Sequence, residues 1–470
     1  MHPDAAKSSG GDFAAVRAEF GLPDGFPPDV LAEAEAVAGD PADLPGGRED
    51  ATDLPLVTID PPGAKDLDQA VCVERARVGF RVHYAIADLA SFLPPRGAID
   101  REARRRGQTL YLPDSNIPLH PPELSEGAAS LLPGEVRPAV LWTIELDSGG
   151  EPTDVRVRRA LVRSGARFDY DTVQAALDAG TPHPAVAALP EVGRLRRELA
   201  VRRGAVEPQL PEQEVAAGPD GGWLLARRPR NDVEAWNAEI SLLTGMAAAG
   251  IMLEAGVGVL RTLPDAGPEA VAGLRRSAHS LGIDWPDGYD VAELLAGLDP
   301  DRPESLALYA DVTRLLRGAG YTAFDGTVPE PATHAGIGGP YAHVTAPIRR
   351  LVDRFGTEVC LAVTAGRAVP EWVRAALVEL PELMNASDTL AARVAKACLD
   401  QVEAWLLAER IGDTFDAVVL RADANRAEVL IHHPPVIAKC AGGDVREGAR
   451  IRVRLTAVDV ARRKVAFERV

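Results

Sequence analysis

The sequence contains few cysteines and lacks an apolar segment at its start, and both features narrow the class of protein. Four cysteines, Cys72, Cys360, Cys398 and Cys440, lie far apart in a chain of 470 residues and form no CxxC pair. Such spacing argues against a zinc site or a disulfide framework and is typical of a reducing compartment. The first residues show no apolar core of a signal peptide, so we expect the protein in the cytoplasm.

Long apolar runs are also missing. The longest, residues 240–253, has fourteen residues and is bracketed by Glu239 and Glu254. A helix needs about 20 apolar residues to cross a bilayer. We therefore expect a buried core helix here and no contact with a membrane.

The chain is short of positive charge. Its 51 Lys and Arg residues are outnumbered by 69 Asp and Glu residues, which leaves a net charge of −18. This balance argues against a broad nucleic-acid-binding surface. It does not exclude a narrow positive channel, because arginines are clustered at 101–106, 156–163, 227–230 and 349–350. Each cluster taken alone is also compatible with a solvated face.

The order of predicted elements favours an α+β fold. The chain has 46% hydrophobic and 26% charged residues, a globular composition, and is long enough for two or three domains. Residues 1–53 predict a short helical N-terminal segment, with helices at 12–20 and 28–38 and then a linker rich in Pro, Gly and Asp. Residues 54–411 predict strands followed by long helical stretches. Residues 412–470 predict short strands and Gly turns, typical of a small barrel such as the OB-fold.

Two stretches within the central region have distinctive patterns. Apolar residues alternate with smaller or polar ones in residues 78–87, which predicts a strand with one buried face and one open face. Residues 108–122, rich in Pro, predict a long extended loop that carries Tyr111. Extended loops with aromatic residues are often functional.

An acidic stretch follows the first predicted strand of the central region. It carries three carboxylates, Asp60, Asp66 and Asp68, within nine residues, and the apolar run at 54–59 precedes it. Crowded carboxylates repel one another unless a cation lies between them, and hard divalent cations prefer oxygen ligands. A polar turn whose aspartates cap backbone groups fits the same spacing. The spacing leaves both interpretations open.

A basic stretch, residues 341–350, ends in Arg349 and Arg350. Thr345 is suited to the N-cap of a helix that continues with apolar residues beyond this stretch. This places both arginines near the positive end of a helix, where backbone amides and guanidinium groups would together bind an anion. A salt bridge to Asp353 or to a carboxylate elsewhere explains the arginines equally well.

Taken together, these stretches resemble the RNase II family, whose catalytic region is the RNB domain. The resemblance covers about residues 20–470, and several motifs in the family's order are more specific than any single one. The motifs are Val-Thr-Ile-Asp60 with Asp66-Leu-Asp68, Ile86-Ala-Asp88, Tyr111-Leu-Pro with Asn116-Ile-Pro, Leu124-Ser through Ser130-Leu to Arg137-Pro, and Thr345-Ala-Pro-Ile-Arg349-Arg350. The resemblance implies an RNB catalytic domain at 54–411, with a mixed sheet surrounded by helices, and an S1-like OB-fold β-barrel at 412–470.

The resemblance also implies a function. Members of the family are hydrolytic exoribonucleases that thread single-stranded RNA into a deep channel and release 5′-mononucleotides from the 3′ end with magnesium. Asp60, Asp66 and Asp68 match three of the family's four active-site aspartates, and Asp68 matches the one most closely tied to the chemistry. Tyr111 matches the aromatic residue that stacks on the terminal base. Arg349 matches the arginine that holds the scissile phosphate.

These matches define a predicted site. We expect magnesium, or manganese in its place, at the acidic loop, and we expect Asp68 and Arg349 to act in catalysis. Arg350, next to Arg349, is predicted to contact the RNA as well. Single-stranded RNA is the expected partner, and no obligate protein partner is implied.

Three departures from the family pattern matter. At residues 261–265, where the best-studied bacterial members carry a second stacking aromatic residue, this chain offers only Leu263, so we expect a one-sided clamp on the terminal base. The fourth aspartate is Gln69 here. An amide oxygen can coordinate a cation but brings no charge, so we expect a weaker metal ligand or a bridging water at Gln69. Only about fifty residues precede the catalytic strand, too few for the pair of cold-shock domains of larger members, so we expect a short form with a more open RNA entrance. Gln69 also supports a second hypothesis, a non-catalytic RNA-binding protein that uses only the channel and the barrel.

Overall fold

The computed structural model describes the whole chain except residues 1–5, 8–10, 43, 45–46, 209, 211, 219–220, 229–230 and 442–443. The predicted arginine cluster at 227–230 and the predicted N-terminal segment at 1–53 therefore lie partly outside the described residues.

The chain contains runs of strands and runs of helices. The strands are β1 (Ala6–Lys7), β2 (Glu49–Asp50), β3 (Leu56–Ile59), β4 (Gln69–Arg75), β5 (Phe80–Ala87), β6 (Leu110–Leu112), β7 (Ser115–Ile117), β8 (Val136–Leu146), β9 (Pro152–Phe168), β10 (Glu212–Ala217), β11 (Trp223–Arg228), β12 (Val257–Thr262), β13 (Gly320–Asp325), β14 (Thr333–His334), β15 (Gly339–Pro340), β16 (Thr414–Ala422), β17 (Arg426–Ile431), β18 (Val436–Ala441), β19 (Arg450–Asp459) and β20 (Lys464–Arg469). The α-helices are α1 (Ala14–Phe20), α2 (Pro28–Ala38), α3 (Ala98–Arg106), α4 (Tyr170–Asp178), α5 (Leu189–Arg202), α6 (Asp232–Ala255), α7 (Pro268–Ser280), α8 (Val291–Ala296), α9 (Pro303–Leu315), α10 (Leu351–Thr364), α11 (Glu371–Leu377) and α12 (Leu380–Leu407).

The sheet that carries the predicted acidic site has the strand order β2-β9-β3-β4-β5-β8. Strand β9 pairs with β8 through residues 152–163 and with β3 through residues 164–168. Strands β9, β3, β4, β5 and β8 are therefore paired in a closed ring. Strands β2 and β3 run parallel to β9, while the other neighbours are antiparallel. The predicted mixed sheet is confirmed.

Strand β5 differs from its predicted pattern. All residues from Val82 to Ala87 are buried, although the alternation predicted one open face. The small residues Ala85 and Ala87 are 0% and 2% exposed. Strand β5 lies between β4 and β8, and the rest of the fold covers both faces of the sheet. The smaller side chains of β5 are therefore as buried as the larger ones.

Helix α6 is longer than the apolar run that predicted it. It begins after Asn231, whose side chain accepts a hydrogen bond from the Val233 amide at 2.8 Å, and it continues for 24 residues. Among the described residues it is the one helix with the length and hydropathy that could cross a membrane. The apolar run was expected to be too short to cross a bilayer, but this does not hold for the whole helix. Its residues Ile240 and Met252 belong to the main core, and α6 packs against α5 and α10.

The C-terminal strands form a closed barrel in the order β16-β17-β18-β20-β19, and the predicted barrel is confirmed. Strand β18 was not predicted. The barrel core is continuous with apolar residues of α1, the hairpin β6–β7 and α12, for example Val16, Leu110 and Val402. The N-terminal helix and this hairpin are thus held by the same core as the barrel.

The apolar side chains gather into separate cores. The main core lies in and around the mixed sheet, the second joins the barrel to α1 and α12, and a third lies within α7, α8 and α9. All four cysteines are free thiols in buried positions.

Candidate active site

A pocket of about 320 Å³ opens where the acidic loop, the hairpin β6–β7 and the turn before α10 meet. Side chains from three distant parts of the sequence line it together. The predicted site residues among them are Asp60, Asp66, Asp68, Gln69, Tyr111 and Arg349. Asn116, which the sequence placed in a motif without a role, also lines the pocket. Arg350 is not among the lining residues.

The acidic loop is held in place by backbone contacts at both ends. Strand β3 is fully buried, and the Asp60 amide directly after it donates to the Phe168 carbonyl of β9 at 3.0 Å. The turn that follows contains Gly63 with a φ of 87°, a conformation that glycine adopts without strain. The Leu67 amide then donates to the Ser130 hydroxyl at 3.0 Å. The loop therefore presents its carboxylates from a fixed backbone.

Asp60 carries a buried oxygen without a partner. Its Oδ2 atom makes no hydrogen bond to the described residues. Burial raises the pKa of this carboxyl from 3.8 to about 6, and the nearby Asp66 adds to the rise while Arg349 opposes it. An unpartnered carboxylate oxygen in a buried position is costly, so Asp60 is a natural place for a cation.

Asp68 is more deeply buried and already has partners. It is 3% exposed, and its Oδ1 atom accepts a hydrogen bond from the Ile348 amide at 2.8 Å. Its Oδ2 atom lies 3.6 Å from Arg349 Nε. Burial raises the pKa of Asp68 well above its ordinary value, against the opposing effects of Arg349 and the Ile348 amide. Asp68 therefore connects the acidic loop directly to the basic stretch.

The basic stretch differs from the predicted capped helix. Helix α10 begins at Leu351, with Arg350 in extended conformation as its N-cap, so Thr345 does not cap it. The preceding residues form a turn in which the Arg350 amide donates to the Ala346 carbonyl at 2.9 Å. The turn is stabilised from outside, because the Ala346 amide donates to Asp353 Oδ1 at 2.7 Å. Arg349 lies in this turn and not in the first turn of a helix.

The side chains of Arg349 and Arg350 have different partners. The Arg349 side chain is 50% exposed and enters the pocket. Arg350 instead donates to both carboxylate oxygens of Asp353, at 2.5 Å from Nε and 2.9 Å from Nη2. The alternative ion pair with Asp353 is thus observed for Arg350, and the structure does not bring Arg350 to the site.

Tyr111 lies on a hairpin where the sequence predicted an extended loop. In the pairing of β6 with β7 it is opposite Asn116, which explains why both line the pocket. The Tyr111 ring is 52% exposed, and its hydroxyl donates to Asp66 Oδ2 at 3.4 Å. Arg17 of α1 holds the hairpin tip through Asp114 at 2.5 Å. The hairpin was missed because its strands have only three residues each and its stability comes from packing on the barrel core.

Gln69 makes a contact that the sequence did not suggest. It is the first residue of β4, and its Nε2 atom donates to the Thr345 carbonyl at 2.5 Å. A backbone carbonyl only accepts hydrogen bonds, so the nitrogen of the amide must face Thr345. Gln69 therefore joins the acidic loop to the basic stretch next to the contact made by Asp68.

The carboxylate oxygens of the acidic loop are suitable ligands for a divalent cation. The strongest indication of a cation site is the environment of Asp60. Its buried Oδ2 atom has no partner among the described residues, and carboxylate oxygens are the ligands that magnesium prefers. No group of three or more His, Cys, Asp or Glu side chains in the described part of the chain is already arranged as a metal site. Asp66 and Asp68 are engaged by Tyr111, Ile348 and Arg349 instead. A cation at Asp60 would compete with these partners for their oxygens.

We expect Asp60→Asn to stabilise the metal-free protein at neutral pH but not at acid pH. A carboxyl whose pKa rises from 3.8 to about 6 on folding contributes stability only while it is protonated. That contribution is lost as the pH rises through about 6. The shift corresponds to at most about 3 kcal/mol in the free energy of unfolding. Thermal denaturation with a chelator should show the advantage of the variant at about pH 7.5 and its loss near about pH 4.

Asp284→Asn, at an exposed position, is the matched control and should not change the melting temperature. Magnesium should raise the melting temperature of the wild type more than that of Asp60→Asn, because a ligand of the folded state stabilises it. An equal shift in both proteins would exclude Asp60 as a magnesium ligand.

The model of the RNB domain matches residues 48–356, and that of the RNase II-type exonuclease C-terminal S1 domain matches residues 413–470. Ribonuclease R of Escherichia coli (strain K12) is 28% identical over an alignment of 477 positions, and this alignment covers 91% of this chain and 58% of that protein. The chain thus spans less than two thirds of the length of this relative.

Solved structures share the fold at low identity. Mycoplasma genitalium RNase R, solved in complex with ribose-methylated single-stranded RNA, superposes with a TM-score of 0.86 at 20% identity and covers 97% of this chain and 77% of its own. Yeast Ssd1, described as a pseudonuclease, superposes with a TM-score of 0.72 at 17% identity and covers 89% of this chain and 54% of its own. The shared fold therefore includes proteins with and without nuclease activity.

Proposed function

Because the chain belongs to the RNB-domain family, we propose that it is a hydrolytic 3′-to-5′ exoribonuclease that degrades single-stranded RNA processively to 5′-mononucleotides with magnesium in the cytoplasm. The family resemblance drawn from the motifs is confirmed by the matches to the RNB and S1 domains. The observation that carries the proposed activity is the single pocket that joins three carboxylates, Tyr111 and Arg349.

Hydrolysis of a phosphodiester places specific demands on such a pocket. It needs a positioned water, neutralisation of the non-bridging oxygens and stabilisation of the leaving oxygen. Magnesium, held by Asp60 with Asp66 and Asp68, would supply neutralisation of the phosphate and activation of the water. Asp68 would also keep Arg349 in position through its Oδ2 atom, 3.6 Å from Arg349 Nε.

Arg349 supplies positive charge in an otherwise acidic pocket. Its guanidinium is half-exposed and therefore accessible to a phosphate. A planar guanidinium can donate two hydrogen bonds to phosphate oxygens, and such fixed donors stabilise charge that develops in the transition state. Among the described residues that line this pocket it is the one cationic side chain, so it is the protein group that can offer positive charge to a bound phosphate.

Tyr111 offers a flat, half-exposed ring at the same pocket. Every base has an aromatic face, so stacking tolerates any base identity and supports degradation of varied sequences. A base stacked on this ring would lie in the pocket that the carboxylates also line.

We expect Tyr111→Ala to raise the KM for RNA about 10-fold or more, because stacking on an aromatic residue contributes about 1–3 kcal/mol per base. Tyr111→Phe keeps the ring and should stay close to the wild type. Steady-state kinetics on oligoadenylate would measure both. Tyr289→Ala removes a ring of similar exposure, 46%, outside the pocket, and serves as the control. Equal KM values for Tyr111→Ala and the control would contradict the stacking role.

The proposed activity is tested by incubating the protein with a 5′-labelled oligoadenylate and magnesium. We expect shortening from the 3′ end to a small end product, with few intermediates when unlabelled RNA is added as a trap. A DNA oligomer of the same sequence should be degraded poorly if the 2′-hydroxyl is recognised. Internal cleavage, or equal degradation of DNA, would contradict the proposal.

A second function, RNA binding without catalysis, is favoured by one observation. The residue after Asp68 is Gln69, and it lines the pocket with its amide directed at Thr345. Under this hypothesis RNA binds to the pocket and the barrel without turnover in magnesium or manganese, and Gln69→Asp produces no gain. Shortening of RNA by the wild-type protein, free of contaminating nuclease, would exclude it.

A further inference from the structure

The adjacent residues Asp68 and Gln69 both hold the turn before α10. One accepts a hydrogen bond from the backbone of this turn, and the other donates one to it. Asp68 accepts a hydrogen bond from the Ile348 amide at 2.8 Å. Gln69 donates one to the Thr345 carbonyl at 2.5 Å. The two contacts lie on either side of the Ala346–Pro347 step, and Arg349 follows immediately. The backbone that delivers Arg349 to the pocket is therefore held by an acceptor at one residue and a donor at the next.

The other contacts of the turn do not replace this donor. The Ala346 amide binds Asp353 Oδ1, and the Arg349 carbonyl accepts from the Thr109 amide at 2.9 Å. Thr345 is 4% exposed, and the Gln69 amide is the hydrogen-bond donor described for its carbonyl. A buried carbonyl that loses its donor destabilises the folded chain. The turn would reduce this destabilisation by moving.

We propose that Gln69 is a positioning residue for Arg349 and not a ligand of the metal. The inference rests on the proposed function, in which Arg349 binds the scissile phosphate. A carboxylate at this position could not donate to the Thr345 carbonyl, and it would place a negative charge against an acceptor. The amide that replaces the family's fourth carboxylate is thus matched to the conformation of the turn in this chain.

Substitutions at Gln69 separate the two roles. Glu has the same length, removes the donor and adds a charge that a cation would favour. Leu has a similar size and offers neither a donor nor an oxygen ligand. A positioning role predicts that Glu is as harmful as Leu or more so. A role as metal ligand predicts the opposite order, with Glu equal to or better than Gln and Leu the worst.

The experiment measures kcat and KM for oligoadenylate, with the magnesium concentration for half-maximal activity, in the wild type, Gln69→Glu and Gln69→Leu. We expect kcat/KM to fall about 10-fold in Gln69→Glu, no less than in Gln69→Leu, without a decrease in the magnesium requirement. Circular dichroism and thermal denaturation establish that each variant is folded. Activity of Gln69→Glu at or above the wild type, with a lower magnesium requirement, would overturn the proposal.

A double-mutant cycle with Arg349→Ala tests whether Gln69 acts through the arginine. The affinity for a non-hydrolysed RNA, measured without magnesium, should fall in each single variant, and Gln69→Glu should add little once Arg349 is removed. Independent, additive effects would contradict the positioning role. Because this cycle uses binding alone, it remains informative if the wild type shows no turnover, a result that would refute the proposed nuclease function separately.

Discussion

Asp68→Asn should reduce RNA turnover by about 10³-fold or more while RNA binding persists. The carboxylate lies between the acidic loop and Arg349, so the substitution removes negative charge where a cation and the arginine are both to be positioned. The amide oxygen of Asn can still accept the hydrogen bond from the Ile348 amide. The backbone around the pocket should therefore be preserved.

The fold of this variant should be as stable as that of the wild type or more so. Burial raises the pKa of Asp68 well above its ordinary value, which means that the ionised carboxylate is destabilising at neutral pH. Turnover of 5′-labelled RNA, RNA affinity and thermal denaturation would be compared with those of Asp284→Asn. Full activity in Asp68→Asn, with contaminating nuclease excluded, would refute the assignment of the site.

Arg349→Ala should lower kcat/KM by about 10²- to 10³-fold, the effect of losing one fixed donor to developing charge. Arg349→Lys should recover only part of this loss, because an ammonium group keeps the charge but cannot donate two parallel hydrogen bonds. The half-exposed side chain makes no closer described ion pair than the 3.6 Å contact with Asp68. The substitution should thus change activity far more than stability.

Arg302→Ala is a suitable control, because the Arg302 side chain is 62% exposed, lies directly before α9 and does not line the pocket. Kinetics and thermal denaturation of all three variants distinguish a role in the reaction from one in folding. Comparable losses in Arg349→Ala and Arg302→Ala would indicate a general effect of surface charge and would contradict the proposed phosphate contact.

Local chemistry explains which parts of the fold could be predicted. The apolar run before Asp60 and the Pro-Pro-Gly turn after it define the end of β3 wherever the strand lies in the molecule. The open face predicted for β5 was wrong, because exposure depends on what covers the sheet and not on the strand itself. The hairpin with Tyr111 was missed for a related reason, since packing on the barrel core stabilises strands of three residues.

The candidate site also combines features that the local sequence predicts with features that distant residues determine. Thr345 was predicted to begin a helix from local preference, yet the helix begins at Leu351. Distant partners determine this difference: Asp353 binds the Ala346 amide and Asp68 binds the Ile348 amide, so these groups are satisfied without a helical turn. The same arrangement separates Arg349, which enters the pocket, from Arg350, which pairs with Asp353.

The sequence by itself determined the family, the mixed sheet with a C-terminal barrel and the set of residue types available for a site, because motifs and apolar patterns are local properties of the chain. Only the tertiary structure decided which of these residues meet. Asp68 and Arg349 are separated by about 280 residues in sequence and by 3.6 Å in space. The role of Gln69 likewise depends on the carbonyl that its amide faces, and no local pattern specifies that partner.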